Sequence, residues 1–553
     1  MQPEKIKIGL ILDSKNVELW KWKIIDNLID EKFVKLDFIF LSSNKPKRSK
    51  NNTLLTNYIK WDKYYNKEQN DALAIKELDL IHNKSNIKIL NHDNDIKKEK
   101  VHIIIHLSDA PIKNKFLKVS KFGVWAYDFG VYNQAKKELE NFWEIFYKDS
   151  ISIICLNSYS LKFPKGKTIY KSITSTNLFS FYKNINNVFL KSPALISRMI
   201  KFFYENGFES LEKLDISVGH STNIDHELSN KTMINFHFKL FFREIKQLYR
   251  KQFYFQEWQI ILKYKSKKSI LSSPNERWYA DPFPVKEKDS IFLFFEDFVK
   301  REHKGCISYV EIKNNKISEP VEVLKEKFHL SYPHIFKDNN EYYMIPETME
   351  ANSIRLYKAI DFPKKWEFKK TLISNVSAVD ATTLFYKNKV WLFTNIAKDG
   401  ASDWEELYLF YSDNIFGEWH SHPLNPIISD VTRARPAGKI FINDEGELIR
   451  PSQDCSKCYG YAINLNKINK ITINEYEEVQ VKKILPTELG NYFGTHTFNK
   501  IDDFYFFDVK KWVKNKNYNL LKFVKNIVGI YHHKPIRNVL FYKIKHLFPS
   551  KLN

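Results

Sequence analysis

A five-bladed β-propeller over residues 255–510, preceded by an α/β domain over 1–165, is the architecture that this 553-residue sequence predicts. Three observations predict it. A strand–turn–strand design recurs five times, with a phenylalanine in constant register at 283, 336, 385, 441 and 498. The spacings of 53, 49, 56 and 57 residues match a four-stranded propeller blade. The first 165 residues instead alternate apolar strands with helical stretches, the pattern of a parallel, doubly wound sheet.

In chain order, "KIKIGLIL" reads as a strand, "VELWKWKIIDNLI" as a helix and "KLDFIFLS" as the next strand. "VHIIIHLSD" and "ISIICLN" continue the alternation, and a glycine-rich phosphate loop is absent. Residues 166–254 ("ALISRMIKFFYENGF", "HFKLFFREIKQLYRKQFY") read as a helical connector. The five repeats follow: "DPFPVKEKDSIFLFFED", "HIFKDNNEYYMIPE", "TLFYKNKVWLFTN", "KIFINDEGELIRPSQD" and "HTFNKIDDFYFFD". Intervening stretches such as "SIRLYKA" and "LYLFYS" supply outer strands, and "EWQIILKY" (257–264) is expected to close the ring. An ordinary β-sandwich is the competing fold.

In a blade the innermost strand lines the channel and its neighbour runs back beside it. The start of the first and the end of the second therefore meet at one mouth. The starts hold Asp281, His334, Asp380, Arg435 and His496. The ends hold Glu296, Glu347, Asn395, Gln453 with Asp454, and Asp508. Paired carboxylates in one cleft suit sugar chemistry, in which one acid protonates an oxygen and another acts as base. Trp278, Tyr279, Tyr332 and Trp391 are candidates to stack on sugar faces, and the planar fork of Arg435 suits a phosphate or carboxylate. A buried structural network is the plain alternative.

Hydrophobic residues make up 43% of the chain and aromatics 15%, which marks a globular protein rich in rings. A net charge of +22 invites a nucleic-acid or membrane reading, yet Lys, Asn and Ile are abundant throughout. The excess concentrates beyond Val509, where ten Lys and one Arg face no acid at all. Leu520, Val524, Ile527 and Tyr531, then Ile536, Leu540, Ile544 and Leu547, recur there at helical spacing. Residues 511–553 thus read as a basic amphipathic tail for an anionic membrane surface, with docking on the protein body as the alternative. No specific nucleic-acid partner is expected. Cys155 and Cys306 stand alone, and "CSKC" (455–458) lacks the second pair of a zinc site, so no metal is expected. Few cysteines, no signal-peptide core and no apolar run near the roughly 20 residues of a membrane span imply a cytoplasmic protein.

The segments "WYADPFP", "SYPHIF", "YYMIPET", "VDAT", "RPAG", "RPSQD" and "GTHTF" together resemble a bacterial family. That family shares its propeller with the N-terminal part of plant glucosamine inositolphosphorylceramide transferases. The propeller is similar to that of arabinanase, xylosidase and invertase-type glycoside hydrolases. The resemblance covers about residues 255–510 and implies that Asp281 is the base or nucleophile, with Glu347 and Asp380 as its partner acids. His334 opening the second repeat, and Asp380 where the hydrolases usually carry Glu, depart from the hydrolase pattern. "KFGVWAYDFG" (121–130) resembles the formyltransferase strand and loop that carries an Asn–His acid–base pair. Trp125 and Tyr127 or Asp128 occupy that region, so a formyltransferase-like (Rossmann-like) domain without formyl transfer is implied.

These readings converge on a carbohydrate-active enzyme, a glycosyltransferase in bacterial surface-polysaccharide assembly. Its expected catalytic carboxylates are Asp281, Glu347 and Asp380. Glu296, His334, Arg435, Gln453, Asp454, His496, Trp278 and Tyr332 are expected to bind a sugar or glycolipid substrate, with an activated sugar donor as co-substrate. A glycoside hydrolase and a non-catalytic glycan-binding scaffold are the alternatives.

Overall fold

The computed structural model describes residues 4–42, 53–78, 87–130, 141–214, 216, 229–314, 316–516 and 522–526. The chain divides into two compact units, one of residues 1–250 with 519–553 and one of residues 251–518.

In the first unit the strands are β1 (Ile6–Leu12), β2 (Asn16–Glu18), β3 (Val34–Leu41), β4 (Ile75–Glu77), β5 (Lys88–Leu90), β6 (Ile103–His106), β7 (Val124–Phe129), β8 (Ile151–Tyr159) and β9 (Lys167–Ser175). Seven form one sheet in the order β5-β3-β1-β6-β7-β8-β9. From β5 to β7 the pairing is parallel, as the apolar runs of β1 and β6 require for burial on both faces. The expected wholly parallel sheet is corrected at the other edge, where β7–β8 and β8–β9 pair antiparallel. The loop 160–166 that joins β8 to β9 is too short for the crossover a parallel return needs, so the strands pair antiparallel. One face packs against helix Leu19–Asp30 and the long helix Phe181–Asn206, through Trp20, Ile24, Leu28, Leu195, Met199 and Phe203. The opposite face buries Phe38, Phe40, Ile104 and Val124 with Phe116 of helix Asn114–Val119. The connector expected from residue 166 therefore begins with a strand of this sheet, and its first long helix belongs to this core.

The second unit is a five-bladed propeller. Its fifth blade takes two outer strands from the start of the unit, β10 (Tyr254–Tyr264) and β11 (Lys267–Leu271). Blade one holds β12 (Arg277–Glu287), β13 (Ser290–Val299), β14 (Lys304–Lys313), β15 (Lys316–Ile317) and β16 (Val321–Leu324). Blade two holds β17 (Ser331–Asp338), β18 (Glu341–Glu347), β19 (Ser353–Asp361) and β20 (Lys365–Ser374). Blade three holds β21 (Ala378–Tyr386), β22 (Lys389–Ile396), β23 (Glu406–Ser412), β24 (His420–Ser421) and β25 (Ile428–Ser429). Blade four holds β26 (Phe441–Ile442), β27 (Leu448–Asp454), β28 (Ala462–Ile471) and β29 (Tyr476–Ile484). The inner strands of blade five are β30 (Phe498–Ile501) and β31 (Phe504–Lys514).

Apolar packing closes the ring blade by blade. Phe294 of blade one packs with Met344 of blade two, Ile345 with Leu392 of blade three, and Phe393 with Ile468 of blade four. Ile463 of blade four then packs with Phe507 of blade five, and Phe506 with Leu293 of blade one. The expected closing strand is β10, which pairs antiparallel with β31 from Tyr254↔Lys514 to Tyr264↔Phe504. Since β31 runs to Lys514, the propeller extends past the expected boundary at 510. Of the tail positions, Val524 is exposed on a helical stretch at 522–526. Leu520, Ile527, Tyr531, Ile536, Leu540, Ile544 and Leu547 lie outside the described residues.

Candidate functional site at the propeller mouth

Three inner strands share one irregularity. Each carries a one-residue bulge at the same register, between Ala280 and Phe283, Ser331 and His334, and Val379 and Thr382. The residue at each bulge has a positive φ: 52° at Asp281, 45° at Tyr332 and 52° at Asp380. Such backbone is unfavourable for a branched or bulky residue and is held by the surrounding ladders. Across from the bulges stand Glu296, Glu347 and Asn395, all in one register. An aspartate can thus precede a proline at the threshold of a buried strand. The bulge turns Asp281 into the channel, and Pro282 has no N–H to leave unpaired there.

Asp281 is 4% exposed. Its Oδ1 accepts from Thr497 Oγ1 at 2.6 Å and its Oδ2 from the Tyr332 N–H at 3.1 Å, while its own N–H donates to Asp508 Oδ2 at 3.1 Å. His496 lies between the two acids, with Nδ1 paired to Asp508 and Nε2 3.8 Å from Asp281 Oδ1. Trp258 of β10 stacks on the His496 ring at 3.9 Å. Burial pushes the Asp281 carboxyl up to about 6, against the pull of His496 and with the repulsion of Asp508 and Asp380. Burial alone would lower His496, but Asp508 and Asp281 together raise it. Asp508 is lowered despite its burial, because His496 and the N–H groups of His496 and Thr497 hold its charge.

On the opposite side Arg435 is clamped by three acids. Its Nε lies 2.6 Å from Asp380, Nη1 2.8 Å from Asp403 and Nη2 3.5 Å from Glu347, with the Tyr459 ring 4.9 Å from the guanidinium. Burial still holds Glu347 well above the usual carboxylate range, with Asp380 adding to Arg435's failure to offset it. Gln453 Nε2 donates to Asp380 Oδ2 at 2.9 Å. Glu296 is also buried and raised, first by burial and then by Asp281, Glu347, Asp508 and Asp380.

The fold thus brings together Asp281, Glu296, Glu347, Asp380, Arg435, Gln453 and His496. Other expectations are corrected. The residue of blade two in Asp281's register is Tyr332, and it is fully buried with its hydroxyl 2.8 Å from Thr382 Oγ1 and accepting from the Gly438 N–H at 2.7 Å. It has no free face for a sugar. His334 lies two residues further along the channel, where Nε2 meets Thr383 Oγ1 at 2.8 Å and accepts the Thr383 N–H at 3.1 Å. Asp454 alternates to the far side of β27 from Gln453 and pairs with Lys483. Tyr279 and Trp391 are core residues, and Trp278 stacks on Phe298 at 4.4 Å. Arg435's donors are taken by carboxylates, which leaves it as a counter-charge rather than a phosphate fork. Thr497, Asp403, Tyr459 and Trp258 escaped the sequence reading. Only Thr497, beside His496, carried a local signal.

Asp281, His496 and Asp508 are the one group among the described residues whose ligand-type atoms could surround a cation, all within 4.8 Å of one another. Asp508 already accepts three backbone N–H groups besides its His496 pair, so its lone pairs are spent. The donor set fits a hydrogen-bonded acid network better than a metal.

Residues 264–512 match the family described as glucosamine inositolphosphorylceramide transferase 1, N-terminal. The chain is 39% identical over 220 residues to glucosamine inositolphosphorylceramide transferase 1 of Oryza sativa subsp. japonica, covering 38% of this chain and 29% of that protein. The protein of the same name from Arabidopsis thaliana is 33% identical over 237 residues, covering 42% of this chain and 30% of its own length. The chain thus spans about 30% of the length of the relatives it matches. Among solved structures it is similar to an exo-beta-1,3-galactanase from Clostridium thermocellum, at 14% identity and a TM-score of 0.32 over 37% of this chain and 49% of that one. A likeness that low says nothing about activity.

Proposed function

We propose that the protein is a carbohydrate-active enzyme, a glycosyltransferase of bacterial surface-polysaccharide assembly, with its chemistry at the propeller mouth. The observation that carries this reading is Asp281, a buried carboxyl pushed up to about 6 that faces His496 and shares its cluster with Glu347 and Asp380. A carboxyl that titrates near neutrality can take and return a proton, which sugar transfer requires. Asp281 is read as the base, Glu347 and Asp380 as its partner acids, and Arg435 as the charge that keeps so many carboxylates in one place. Transfer is favoured over hydrolysis by the 39% identity to proteins named as transferases of an inositolphosphorylceramide. That similarity also supports a glycolipid acceptor, with an activated sugar as donor.

The first unit is read as a formyltransferase-like domain that has lost formyl transfer. Trp125 is wholly buried in the core, and the Tyr127 hydroxyl donates to the Ser192 carbonyl, so neither ring can act as acid or base. A cytoplasmic protein held at the membrane by its tail completes the reading. Among the described residues no helix is long and apolar enough to cross a membrane.

The test is to incubate the purified protein with an oligosaccharide panel, first alone and then with activated sugar donors, beside Asp281→Asn. A transferase acts only with a donor. Sugar release without one establishes the hydrolase reading, which the acid cluster also fits, and no reaction in either arm leaves a glycan-binding scaffold. Formylation of an amino sugar from a folate donor would overturn the reading of the first unit.

A further inference from the structure

Glu296 differs from every other buried acid at the mouth. Asp281 and Asp508 face His496, while Glu347 and Asp380 face Arg435. Glu296 faces His329, whose Nε2 lies 3.4 Å from its Oε1. Strand alternation separates it from Asp297, which turns to the other side of β13 and pairs with Arg277 at 2.5 Å.

The His329 ring is held in one tautomer. Its Nδ1 accepts the Gly305 N–H at 2.9 Å, so a neutral ring carries its proton on Nε2, towards Glu296. The His329 N–H donates to Glu350 Oε2 at 2.9 Å, which fixes the backbone that carries the ring. The packing is so close that a Cβ on Gly305 would stand 2.9 Å from His329 Cε1, 3.0 Å from Glu296 Oε1 and 2.4 Å from the Leu330 carbonyl.

We infer that Glu296 is the proton-carrying acid of the mouth and that His329 is the residue that positions its proton. Its catalytic use rests on the carbohydrate-active reading above; the dyad itself does not. The charged groups acting on Glu296 are the carboxylates Asp281, Glu347, Asp508 and Asp380, which add to burial in favouring the protonated form. Burial lowers His329, with Glu350 opposing, so its ring is neutral when Glu296 holds a proton. With the Nε2–H side of the ring 3.4 Å from Oε1, the carboxyl proton is favoured on Oε2. In sugar transfer, Glu296 Oε2–H gives its proton to the departing oxygen as the old C–O bond breaks. Asp281 takes the proton of the incoming hydroxyl as the new C–O bond forms. Glu296 ends as a carboxylate whose Oε1 still faces the Nε2–H.

Infrared difference spectroscopy on the full chain tests the dyad without any substrate. At pH 7 the wild type should show the carbonyl stretch of a buried, protonated carboxyl that disappears in Glu296→Gln. That substitution swaps a neutral acid for its neutral isostere, so the fold should be retained. His329→Leu should keep the band but move it to higher frequency, because the polar N–H edge 3.4 Å from the carbonyl is lost, and His329→Gln should move it back. Unchanged spectra in Glu296→Gln overturn the inference, and an unmoved band in His329→Leu overturns the positioning role. With a sugar reaction in hand, Glu296→Gln should lower kcat by at least about 100-fold and remove the basic limb of its pH profile. Full activity in that variant overturns the catalytic role. A Glu296 band in a protein inactive on every sugar sustains the dyad and defeats the carbohydrate reading instead.

Discussion

Asp281 shows how one residue can be replaced without dismantling what surrounds it. In Asp281→Asn the amide oxygen can take the Tyr332 N–H, and the amide nitrogen can donate to the Thr497 hydroxyl, which then accepts. Asn also tolerates the positive φ at this bulge. We expect kcat to fall by about 100-fold or more with the melting temperature at pH 7.5 equal to or above wild type. The sign follows from linkage: the carboxyl is raised from 3.8 to about 6, so the folded state binds the extra proton between those values. Its stabilising effect is complete below that window and is lost as pH rises through about 6. Wild type should therefore lose stability relative to Asp281→Asn across that range in a pH series of melting curves. Wild-type activity should fall as pH drops below about 6, where the base is protonated. Arg435→Met removes the guanidinium that pairs with Asp380, Asp403 and Glu347. A cost of about 3–5 kcal/mol is expected by urea unfolding at pH 8, since buried charges lose their partner. The cost should shrink as pH falls, because protonation of Glu347, already favoured by burial, removes one of the charges left unpaired.

β10 is the element on which the ring depends. It lies between β11 and β31, so its backbone donors and acceptors are used on both sides. Ile260 and Ile261 are fully buried on its two faces. Ile261→Pro removes a ladder N–H from an interior strand and should destabilise the propeller by about 3 kcal/mol or more. Thermal unfolding followed by the near-ultraviolet signal of Trp258, stacked on His496, reports the loss at the site itself. If the signal survives at wild-type temperature, closure does not rest on β10. The bulges of β12, β17 and β21 work at the same scale, each re-aiming one side chain into the channel without breaking its blade.

For the whole molecule, the charge of +22 bears on location rather than fold. Each Lys or Arg near an anionic surface contributes about 1 kcal/mol, so a few of the tail's cations suffice for reversible binding. A chain ending at Lys516 keeps all of β31 and should stay folded. It should no longer sediment with vesicles containing phosphatidylserine, whereas the full chain should bind them and be released near 1 M salt, where the Debye length is about 3 Å. Vesicle binding by the shortened chain would place the membrane surface elsewhere.

The sequence by itself determined the number of blades, the closing strand and five of the acids that gather at the mouth, Asp281, Glu296, Glu347, Asp380 and Asp508, but not Asp403. Those properties follow from local patterns: a strand–turn–strand repeat at blade spacing, turn chemistry, and carboxylates at the ends of apolar strands. Tertiary structure alone decided which of these side chains face one another. The shared bulge puts Phe283 in register with His334 and not with Phe336, so Tyr332 and not His334 falls into Asp281's register. Arg435's capture by acids from three segments, Trp258's stacking on His496 and His329's approach to Glu296 join residues 32 to 238 positions apart. In the first unit the same limit hid the antiparallel edge, because an apolar strand reads alike in either direction. Period and composition reveal that a strand is buried, but the partners of a buried charge are chosen by the folded ring.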